Sequence, residues 1–448
     1  MVGGGVAGLA AAITLQQQVP DVLVLDSSDR PGGVMRTDHV GGYVIERGPN
    51  TFQVKAPMLE VLRREGLDSG LLAALPASRT RFIYHGGRLE RVPMTPGAFA
   101  RSPLLSARGK LRLFAEPFVR RGDGGSESVS EFVARRLGRE VAENLVGPFL
   151  TGVYAGEAEM LGAGAVFRSL VEHERRVGSI TAGLIGGLFR KRGAKGLRGI
   201  HSAIEGLGPF ARSLSALLAE PPALGNRVSG LRREGEEWVV SLTGPAGESR
   251  LRTKRLVVAT PAREAAEILR GVSADAAKEL EGIAYAPIVG VAVGADPNDV
   301  RTPIEGFGFL VPSSADLRLL GCLFMSQLFP GRAPAGRELL QCMIGGMRWP
   351  EAVDLPDDVI AAQVLADLDR ILGLQGAPDV LTVTRWQRAV AQPDRGHVAR
   401  LERIASHLAG QPGLALAGSY LAGVGVPDTF ASGVAAAERL ADDGEAPL

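Results

Sequence analysis

The chain has 448 residues, 45% of them hydrophobic and 22% charged, and a formal net charge of +1. This composition is typical of a folded globular protein, and the length predicts more than one lobe. The near-neutral charge gives no reason to expect a nucleic-acid partner. Cys322 and Cys342 are the two cysteines and do not form a C-x-x-C pair, which favours a reduced compartment, the cytoplasm. The six histidines show no metal-binding spacing, so no metal site is expected.

A glycine-rich motif stands at the start of the chain. Gly3, Gly5 and Gly8 form a G-x-G-x-x-G pattern, and the residues from Val6 to about Gln17 are rich in Ala and Leu, which predicts a helix. An apolar run then ends at Asp26. Glycines at these positions let the backbone approach a pyrophosphate at the helix N-terminus, and the acid is placed to accept ribose hydroxyls. The pattern therefore predicts dinucleotide binding.

The strand that normally precedes this motif is represented only by Met1 and Val2. Such a strand lies at the centre of a parallel sheet, where its absence would expose the edges of its neighbours. We therefore expect the first strand to be truncated here and the coding frame to extend upstream through a short run rich in Val, Ile and Ala.

Later segments alternate between strand-like and helical patterns. "SVSE" at residues 128–131 has the form of a capping box, which predicts a helix start. The region from about residue 98 to 205 is mainly helical in pattern, and residues 101–200 carry 17 Lys and Arg against 10 Asp and Glu. The uncharged stretch 408–427 contains glycines and prolines, so it indicates a buried strand and a loop, not a membrane span. Strands are predicted at 81–87, 236–244, 255–262, 286–294 and 306–311, and a helix at 262–270.

Two segments narrow the dinucleotide to FAD by resemblance. "DRPGGVMRT" at residues 29–37 resembles the second glycine motif of the amine oxidase and protoporphyrinogen oxidase superfamily of flavoproteins. "GGYVIERGPNTF" at residues 41–52 is similar to the superfamily segment that reaches the flavin. The resemblance implies an α/β plus α protein, with a Rossmann-like FAD-binding domain built from discontinuous segments, a mixed-sheet substrate domain and a helical, membrane-facing lobe.

Within that superfamily the chain is most similar to the oxygen-dependent protoporphyrinogen oxidase family, over nearly its whole length. "TRFIYHGGRLERVP", "TGVYAG", "GFGFLVPSS" and "LFPGRAPAGRELL" resemble family segments in the family order. The resemblance implies that Arg81 meets a substrate propionate and that apolar walls border the substrate cavity. The implied substrate-binding residues are Arg81, Gly152, Phe307, Gly308, Leu310 and Phe329.

The resemblance also implies which residues hold FAD. "TRWQRAVAQPDRGH" and "GSYLAGVGVPDTFASGVAAA" are similar to the closing flavin-binding segments of the family, and "GNRVSGL" to the segment beside the adenine. The chain departs from the family pattern at Gln387, Pro393, Ser419, Pro427 and Thr429, which bears on the detailed contacts. The implied cofactor-binding residues are Gly3, Gly4, Gly5, Val6, Ala7, Gly8, Asp26, Ser27, Gly33, Gly48, Pro49, Asn50, Thr51, Val228, Trp386, Val424, Gly425 and Val426.

The expected domains follow from the same match. Residues 1–75, 200–270 and 385–448 are expected to bind FAD, residues 76–97 and 271–384 to bind substrate, and residues 98–199 to form the helical lobe. Apolar and cationic segments such as "LLSARGKLRLFAEPFVRR" predict contact with an anionic membrane surface, although a solvated helix face explains them equally well. The sequence leaves open whether the chain forms a homodimer.

The implied activity is the FAD-dependent oxidation of protoporphyrinogen IX to protoporphyrin IX, with dioxygen as acceptor, in heme biosynthesis. FAD carries the redox chemistry, so the protein mainly holds the macrocycle against the flavin, and the sequence assigns no acid or base. Oxidation of coproporphyrinogen III, another amine-oxidase-like flavin reaction and a non-catalytic flavin- or porphyrin-binding protein remain alternatives. The expected location is the cytoplasm, with peripheral attachment to the inner face of the cell membrane.

Overall fold

The computed structural model describes residues 1–122, 125–181 and 196–441. Most of the basic run at 190–199, which contributed to the expected membrane contact, lies outside the described residues. The last residues of the expected FAD-binding domain, 442–448, also lie outside them.

The strands are numbered here in chain order. They are β1 (Thr37–Val40), β2 (Tyr43–Glu46), β3 (Leu71–Ala73), β4 (Phe82–His85), β5 (Arg88–Arg91), β6 (His201–Ala203), β7 (Arg227–Glu234), β8 (Glu237–Gly244), β9 (Gly247–Thr253), β10 (Leu256–Val258), β11 (Tyr285–Ala295), β12 (Gly308–Leu310), β13 (Leu319–Phe324), β14 (Glu338–Gly345), β15 (Val380–Ala391) and β16 (Leu414–Leu416).

The α-helices are numbered in the same way. They are α1 (Val6–Leu15), α2 (Ala56–Arg64), α3 (Pro96–Arg101), α4 (Ala107–Phe114), α5 (Val129–Leu137), α6 (Arg139–Val141), α7 (Gly147–Tyr154), α8 (Ala163–Val166), α9 (Arg168–Val177), α10 (Leu207–Ser215), α11 (Ala262–Leu269), α12 (Ala274–Glu281), α13 (Met325–Leu328), α14 (Asp357–Leu372), α15 (His397–Leu408), α16 (Ser419–Ala422) and α17 (Val426–Ala441).

A small parallel sheet lies under the glycine motif. Val2 forms parallel bridges with Leu25 on one side and Val258 on the other, and Leu25 is bridged in turn to Ala223. Strand β10 pairs in parallel with β16, which comes from the far end of the chain. The N-terminal residues therefore occupy the central position expected of the first strand, although as isolated bridges. The upstream extension stays a prediction.

Helix α1 packs closely against α17 because both helices present small residues at their crossing. A Cβ atom added at Gly433 would lie only 2.0 Å from the carbonyl oxygen of Ala7. Ala10, Ala436 and Ala437 are completely buried near this crossing. Glycine and alanine let the two backbones approach, and this contact joins the start of the described chain to its end.

The second body is a mixed sheet of seven strands in the order β15-β11-β14-β13-β12-β4-β5. Adjacent strands of this sheet run antiparallel, except for β12 and β4, which run parallel. The mixed sheet expected from the family resemblance is thus confirmed. Strand β15 runs across the expected domain boundary between residues 384 and 385.

A helical lobe is formed by residues 96–122 and 125–181, and it contains buried charged side chains. The side chains of Glu116 and Arg136 are both completely buried and form an ion pair. Glu174, also buried, pairs with Arg135 at 2.7 Å. Ser128 and Glu131 form the predicted capping box at the start of α5, which confirms that helix start.

The predicted strands and helices are confirmed where periodicity was strong. The structure has β8 at the predicted strand 236–244, β11 at 286–294 and α11 at 262–270. The apolar run ending at Asp26 forms only isolated bridges at Leu25, and it is not buried throughout, because Leu23 is 40% exposed.

Candidate functional site

The glycine motif forms a tight turn between the end of the central bridge and helix α1. Gly3 has a φ of +103°, and a Cβ atom there would lie 2.8 Å from the Ala259 carbonyl oxygen. A Cβ atom at Gly8 would lie 1.8 Å from the Gly3 carbonyl oxygen. These two glycines are required by the packing of the protein itself.

Gly5 differs from Gly3 and Gly8. A Cβ atom at Gly5 would meet nothing within 4 Å, so its missing side chain leaves open space. Gly5 is also the N-cap of α1, and no side chain caps the helix there. The open side of this turn therefore presents free N–H groups at a helix N-terminus, beside Val6 and Ala7, which is the arrangement that binds a pyrophosphate.

Asp26 is held beside this turn by backbone donors. Its Oδ2 accepts a hydrogen bond from the N–H of Gly4 at 2.5 Å, and its Oδ1 accepts one from the N–H of Ser28 at 2.8 Å. The Asp26 main chain is hydrogen-bonded to the segment that carries Val228: Asn226 N donates to the Asp26 carbonyl oxygen at 2.8 Å. The acid, Ser27 and the predicted adenine segment thus lie together.

A second glycine loop lies against the first. Gly32 N donates to the Gly4 carbonyl oxygen at 2.8 Å, and a Cβ atom at Gly33 would lie 3.2 Å from Gly5 Cα. A Cβ atom at Gly48 would lie 2.0 Å from the carbonyl oxygen of Val34. The three predicted cofactor segments that contain these glycines therefore meet at one place.

Two buried oxygens at this place lack a hydrogen-bond partner in the described part of the chain: Asn50 Oδ1 and Thr260 Oγ1. Asn50 follows Gly48 and Pro49 in the predicted flavin segment and precedes Thr51. Thr260 follows β10, and its backbone nitrogen lies 3.2 Å from the Cβ position of Gly3. Buried polar atoms are normally paired, so both oxygens are available to a bound group at this place.

Trp386 on β15 contacts the same segment. Its indole Nε1 donates to the carbonyl oxygen of Arg47 at 2.6 Å. This bond joins the seven-stranded sheet to the residues just before Gly48. Trp386 therefore contacts the predicted flavin segment, and its cofactor-binding role stays a prediction.

Val424 and Gly425 immediately precede α17, Val426 is its first residue, and Asp428 lies in its first turn. Lys55 Nζ donates to Asp428 Oδ1, although the two residues are 373 positions apart in the chain. Lys55 follows the Gly48–Thr51 segment. The two predicted flavin segments are therefore joined by an ion pair.

On the substrate side, Arg81 lies over an aromatic ring. Its guanidinium carbon is 4.8 Å from the centroid of the Phe307 ring. The residue is exposed overall, although partial burial lowers the pKa of its guanidinium, and in the residues that the structure describes it forms no salt bridge with a carboxylate. An exposed cation beside an aromatic face fits a carboxylate on the rim of an apolar ligand.

Gly152 and Leu310 are in direct contact. A Cβ atom at Gly152 in α7 would lie 2.5 Å from Leu310 Cδ2 on β12. Gly308, at the start of β12, has a φ of +127°, and a Cβ atom there would lie 2.0 Å from the Cys322 carbonyl oxygen. The helical lobe therefore packs against the sheet next to Phe307.

Phe329 is placed differently from the other predicted wall residues. Its ring is completely buried in an apolar cluster that Phe307 borders, so it has no exposed surface in this structure. The guanidinium of Arg332 lies 5.7 Å from its centroid. A substrate contact for Phe329 stays a prediction.

Arg332 belongs to a buried polar cluster behind the flavin segment. It lies 3.8 Å from Glu46, which also accepts hydrogen bonds from Thr37 Oγ1 and Leu207 N. Burial raises the pKa of Glu46 to about 7, although these donors and Arg332 oppose the rise. The cluster supports the strand that leads into Gly48.

A family model described as "Flavin containing amine oxidoreductase" matches residues 6–441. The chain belongs to this family. FAD is accordingly its cofactor, and the enzyme is an FAD-dependent oxidoreductase. The chemistry of the donor set fits FAD on this structure's own terms, because the open Gly5 turn suits a pyrophosphate and the unpaired oxygens of Asn50 and Thr260 suit a polar ring system.

Relatives of this flavin oxidoreductase place it more closely. It is 34% identical to chloroplastic protoporphyrinogen oxidase of Oryza sativa subsp. japonica, over 99% of this chain and 88% of the relative. It is 28% identical to coproporphyrinogen III oxidase of Bacillus subtilis, over 97% of this chain and 96% of the relative. A crystal structure from Exiguobacterium sp. 255-15 is provisionally assigned as a protoporphyrinogen oxidase. It superposes on this chain with a TM-score of 0.82 at 25% sequence identity, over 98% of this chain and 97% of the other. The predicted resemblance is confirmed.

Sequence reasoning missed Lys55 and Asp428, which join two segments of this flavin site. Both are charged residues inside otherwise apolar and glycine-rich motifs, and that contrast was the available signal. Nothing in the sequence pairs residues so far apart. In the ranges that the structure describes, no group of three or more His, Cys, Asp or Glu could hold a metal ion.

Proposed function

We propose that this enzyme oxidises protoporphyrinogen IX to protoporphyrin IX, with dioxygen as the electron acceptor and hydrogen peroxide as by-product. The observation that carries the proposal is the 34% identity to a protoporphyrinogen oxidase over 99% of the chain. The exposed Arg81 guanidinium over Phe307 adds support from the structure, because a porphyrinogen is a broad apolar ring with carboxylates on its rim.

FAD would accept two electrons at a time, so the six-electron oxidation of protoporphyrinogen IX to protoporphyrin IX would take three rounds of flavin reduction, each followed by reoxidation with one dioxygen to one hydrogen peroxide. The residues of the chain bind the cofactor and the substrate and orient the macrocycle against the flavin. On this proposal the Gly3–Gly8 turn holds the pyrophosphate, Asp26 the ribose, Val228 the adenine end, and the loops containing Asn50 and Gly425 the flavin. Arg81 holds a propionate and Phe307 the ring edge, while Gly152 lets Leu310 pack directly against α7 beside them. No acid or base is assigned.

The deciding experiment is anaerobic reduction of the purified, FAD-loaded enzyme. Protoporphyrinogen IX should bleach the flavin absorbance, and admission of air should restore it and release fluorescent porphyrin. A flavin that porphyrinogen cannot bleach would contradict the proposal and favour a non-catalytic binding protein. Bleaching by amines but not by porphyrinogens would point to an amine oxidase.

Coproporphyrinogen III is the second candidate substrate, because the chain is 28% identical to a coproporphyrinogen III oxidase over nearly its full length. It has the same ring with more carboxylates. Steady-state kcat/KM with each porphyrinogen separates the two. A value for coproporphyrinogen above that for protoporphyrinogen would replace the first proposal with the second.

We also propose that the enzyme works in the cytoplasm and touches the inner membrane face through its helical lobe. No helix in the described ranges is long and apolar enough to cross a membrane. Leu111, Phe114 and Phe118 are nevertheless 69%, 78% and 89% exposed, and Lys110 lies among them. Exposed rings next to cations suit an anionic lipid surface.

Flotation with anionic vesicles at low salt tests this contact. A Phe114→Ser/Phe118→Ser variant should bind fewer vesicles than the wild type. Val398→Ser, which removes a 46% exposed apolar side chain from α15, is the matched control. Wild-type protein that stays wholly unbound would end the membrane proposal.

A further inference from the structure

We infer that Lys55 and Asp428 form a clasp that holds two FAD-contacting loops together and thereby sets how tightly FAD is retained. This inference rests on the FAD site proposed above. Lys55 is the N-cap residue of α2, four residues after Thr51 of the Gly48–Thr51 segment. Asp428 lies in the first turn of α17, two residues after Val426. The ion pair is thus a polar link between two loops on opposite ends of the chain.

The Asp428 side chain lies against the backbone of its own loop. A Cβ atom at Gly423 would lie 3.2 Å from Asp428 Cβ, and one at Gly425 would lie 3.2 Å from Asp428 Oδ2. Thr429 N donates to the Gly425 carbonyl oxygen at 2.9 Å, which fixes the turn into α17. A restraint on the position of the Asp428 carboxylate therefore also restrains the segment Val424–Val426.

Lys55 is held equally firmly on the other side. Phe52 N donates to His201 O at 2.9 Å, and His201 N donates to Phe52 O at 2.8 Å. A Cβ atom at Gly196 would lie 1.9 Å from the Val54 carbonyl oxygen, so the chain packs tightly there. The backbone next to Lys55 is therefore fixed by its neighbours. The ion pair with Lys55 restrains Asp428 and, with it, the residues just before α17.

The charge of Asp428 also acts on a third segment. The pKa of Tyr154, which belongs to α7, is raised first by burial and then by the negative charge of Asp428. Loosening the Lys55–Asp428 pair should alter FAD retention without removing any group that binds the pyrophosphate.

The test measures FAD affinity of apoprotein by the change in flavin fluorescence on reconstitution. Lys55→Met and Asp428→Asn should each raise the Kd for FAD about three- to fivefold, the range for a partly exposed pair. The Lys55→Met/Asp428→Asn double variant should raise the Kd for FAD no more than either single change does. The charge-swapped Lys55→Asp/Asp428→Lys protein should regain affinity for FAD. High salt should narrow the difference from wild type.

Arg403→Met is the matched control. Arg403 and Glu279 pair at 2.7 Å with side-chain exposures of 51% and 23%, close to the 47% and 29% of Lys55 and Asp428. That pair joins α15 to α12, away from the flavin segments. The Kd for FAD should not change in this variant. Far-UV circular dichroism of each variant checks that folding is intact, and Lys55→Arg should keep near-wild-type affinity.

The outcomes separate the clasp from the site on which it rests. Wild-type protein that binds FAD while both single variants bind it equally well would overturn the clasp alone. Additive effects of the two single changes would also overturn it, because an interacting pair is not additive. Wild-type protein that binds no FAD at all would overturn the proposed cofactor site.

Discussion

Replacing Glu116 by Gln should loosen the helical lobe strongly, because this carboxylate is completely buried and joins three parts of the lobe. It pairs with the buried Arg136 and accepts hydrogen bonds from Ser179 Oγ at 2.6 Å and Ile180 N at 2.9 Å. Removing one partner of a buried ion pair is costly because it leaves buried charge poorly compensated, and the ion pair left to Arg136 would be its 3.4 Å contact with the buried Glu174.

The magnitude follows from the pKa of Glu116. Burial alone would raise that pKa, but the hydrogen bonds from Ser179, Ile180 and Arg136 outweigh burial and lower it from 4.5 to about 2. A depression of this size corresponds to about 3 kcal/mol of stability. Because the folded pKa is depressed, this stabilisation is fully present above pH 4.5 and is lost as the pH falls towards 2.

Hydrogen exchange read by mass spectrometry measures the effect within the lobe. At pH 7, peptides from α5 and α9 should exchange roughly a hundredfold faster in Glu116→Gln than in wild type, which is about 3 kcal/mol of local opening free energy. Glu143→Gln is the control in the same lobe, because Glu143 is 62% exposed and pairs with Arg139 only at 4.0 Å. Its effect should be under about 0.5 kcal/mol.

Equal protection in wild type and Glu116→Gln at pH 7 would refute the assignment of Glu116 as a stabilising charge. So would a difference that persists undiminished as the pH is lowered from 4.5 towards 2. An effect of Glu143→Gln as large as that of Glu116→Gln would show that exposed charges of the lobe matter as much as the buried pair.

Two further substitutions test the site. Arg81→Ala should raise KM for the porphyrinogen roughly ten- to a hundredfold, because a charged hydrogen bond to a carboxylate is worth about 1.5–3 kcal/mol, while flavin content stays unchanged; an unaltered KM would remove Arg81 from the site. Gly48→Ala should lower bound FAD per chain, because its Cβ would lie 2.0 Å from the Val34 carbonyl oxygen, whereas Gly70→Ala, with nothing within 4 Å, should retain FAD; equal flavin content in both would contradict this.

The sequence by itself determined the local features of this protein. The Gly3–Gly8 turn, the capping box of Ser128 and Glu131, and strand β11 all depend on residues within one short segment. Steric limits on glycine, cap hydrogen bonds and side-chain alternation act over a few residues, so they can be read from a single chain. The family motifs added the order in which the cofactor segments occur.

Only the tertiary structure decided which distant segments meet. The parallel pairing of β12 with β4, the buried Glu116–Arg136 pair and the Lys55–Asp428 pair each join residues with no local signal for one another. The complete burial of the Phe329 ring is likewise a result of packing that its motif did not indicate. Burial and charge pairing depend on how the whole chain packs, and that packing is a property of all the segments together.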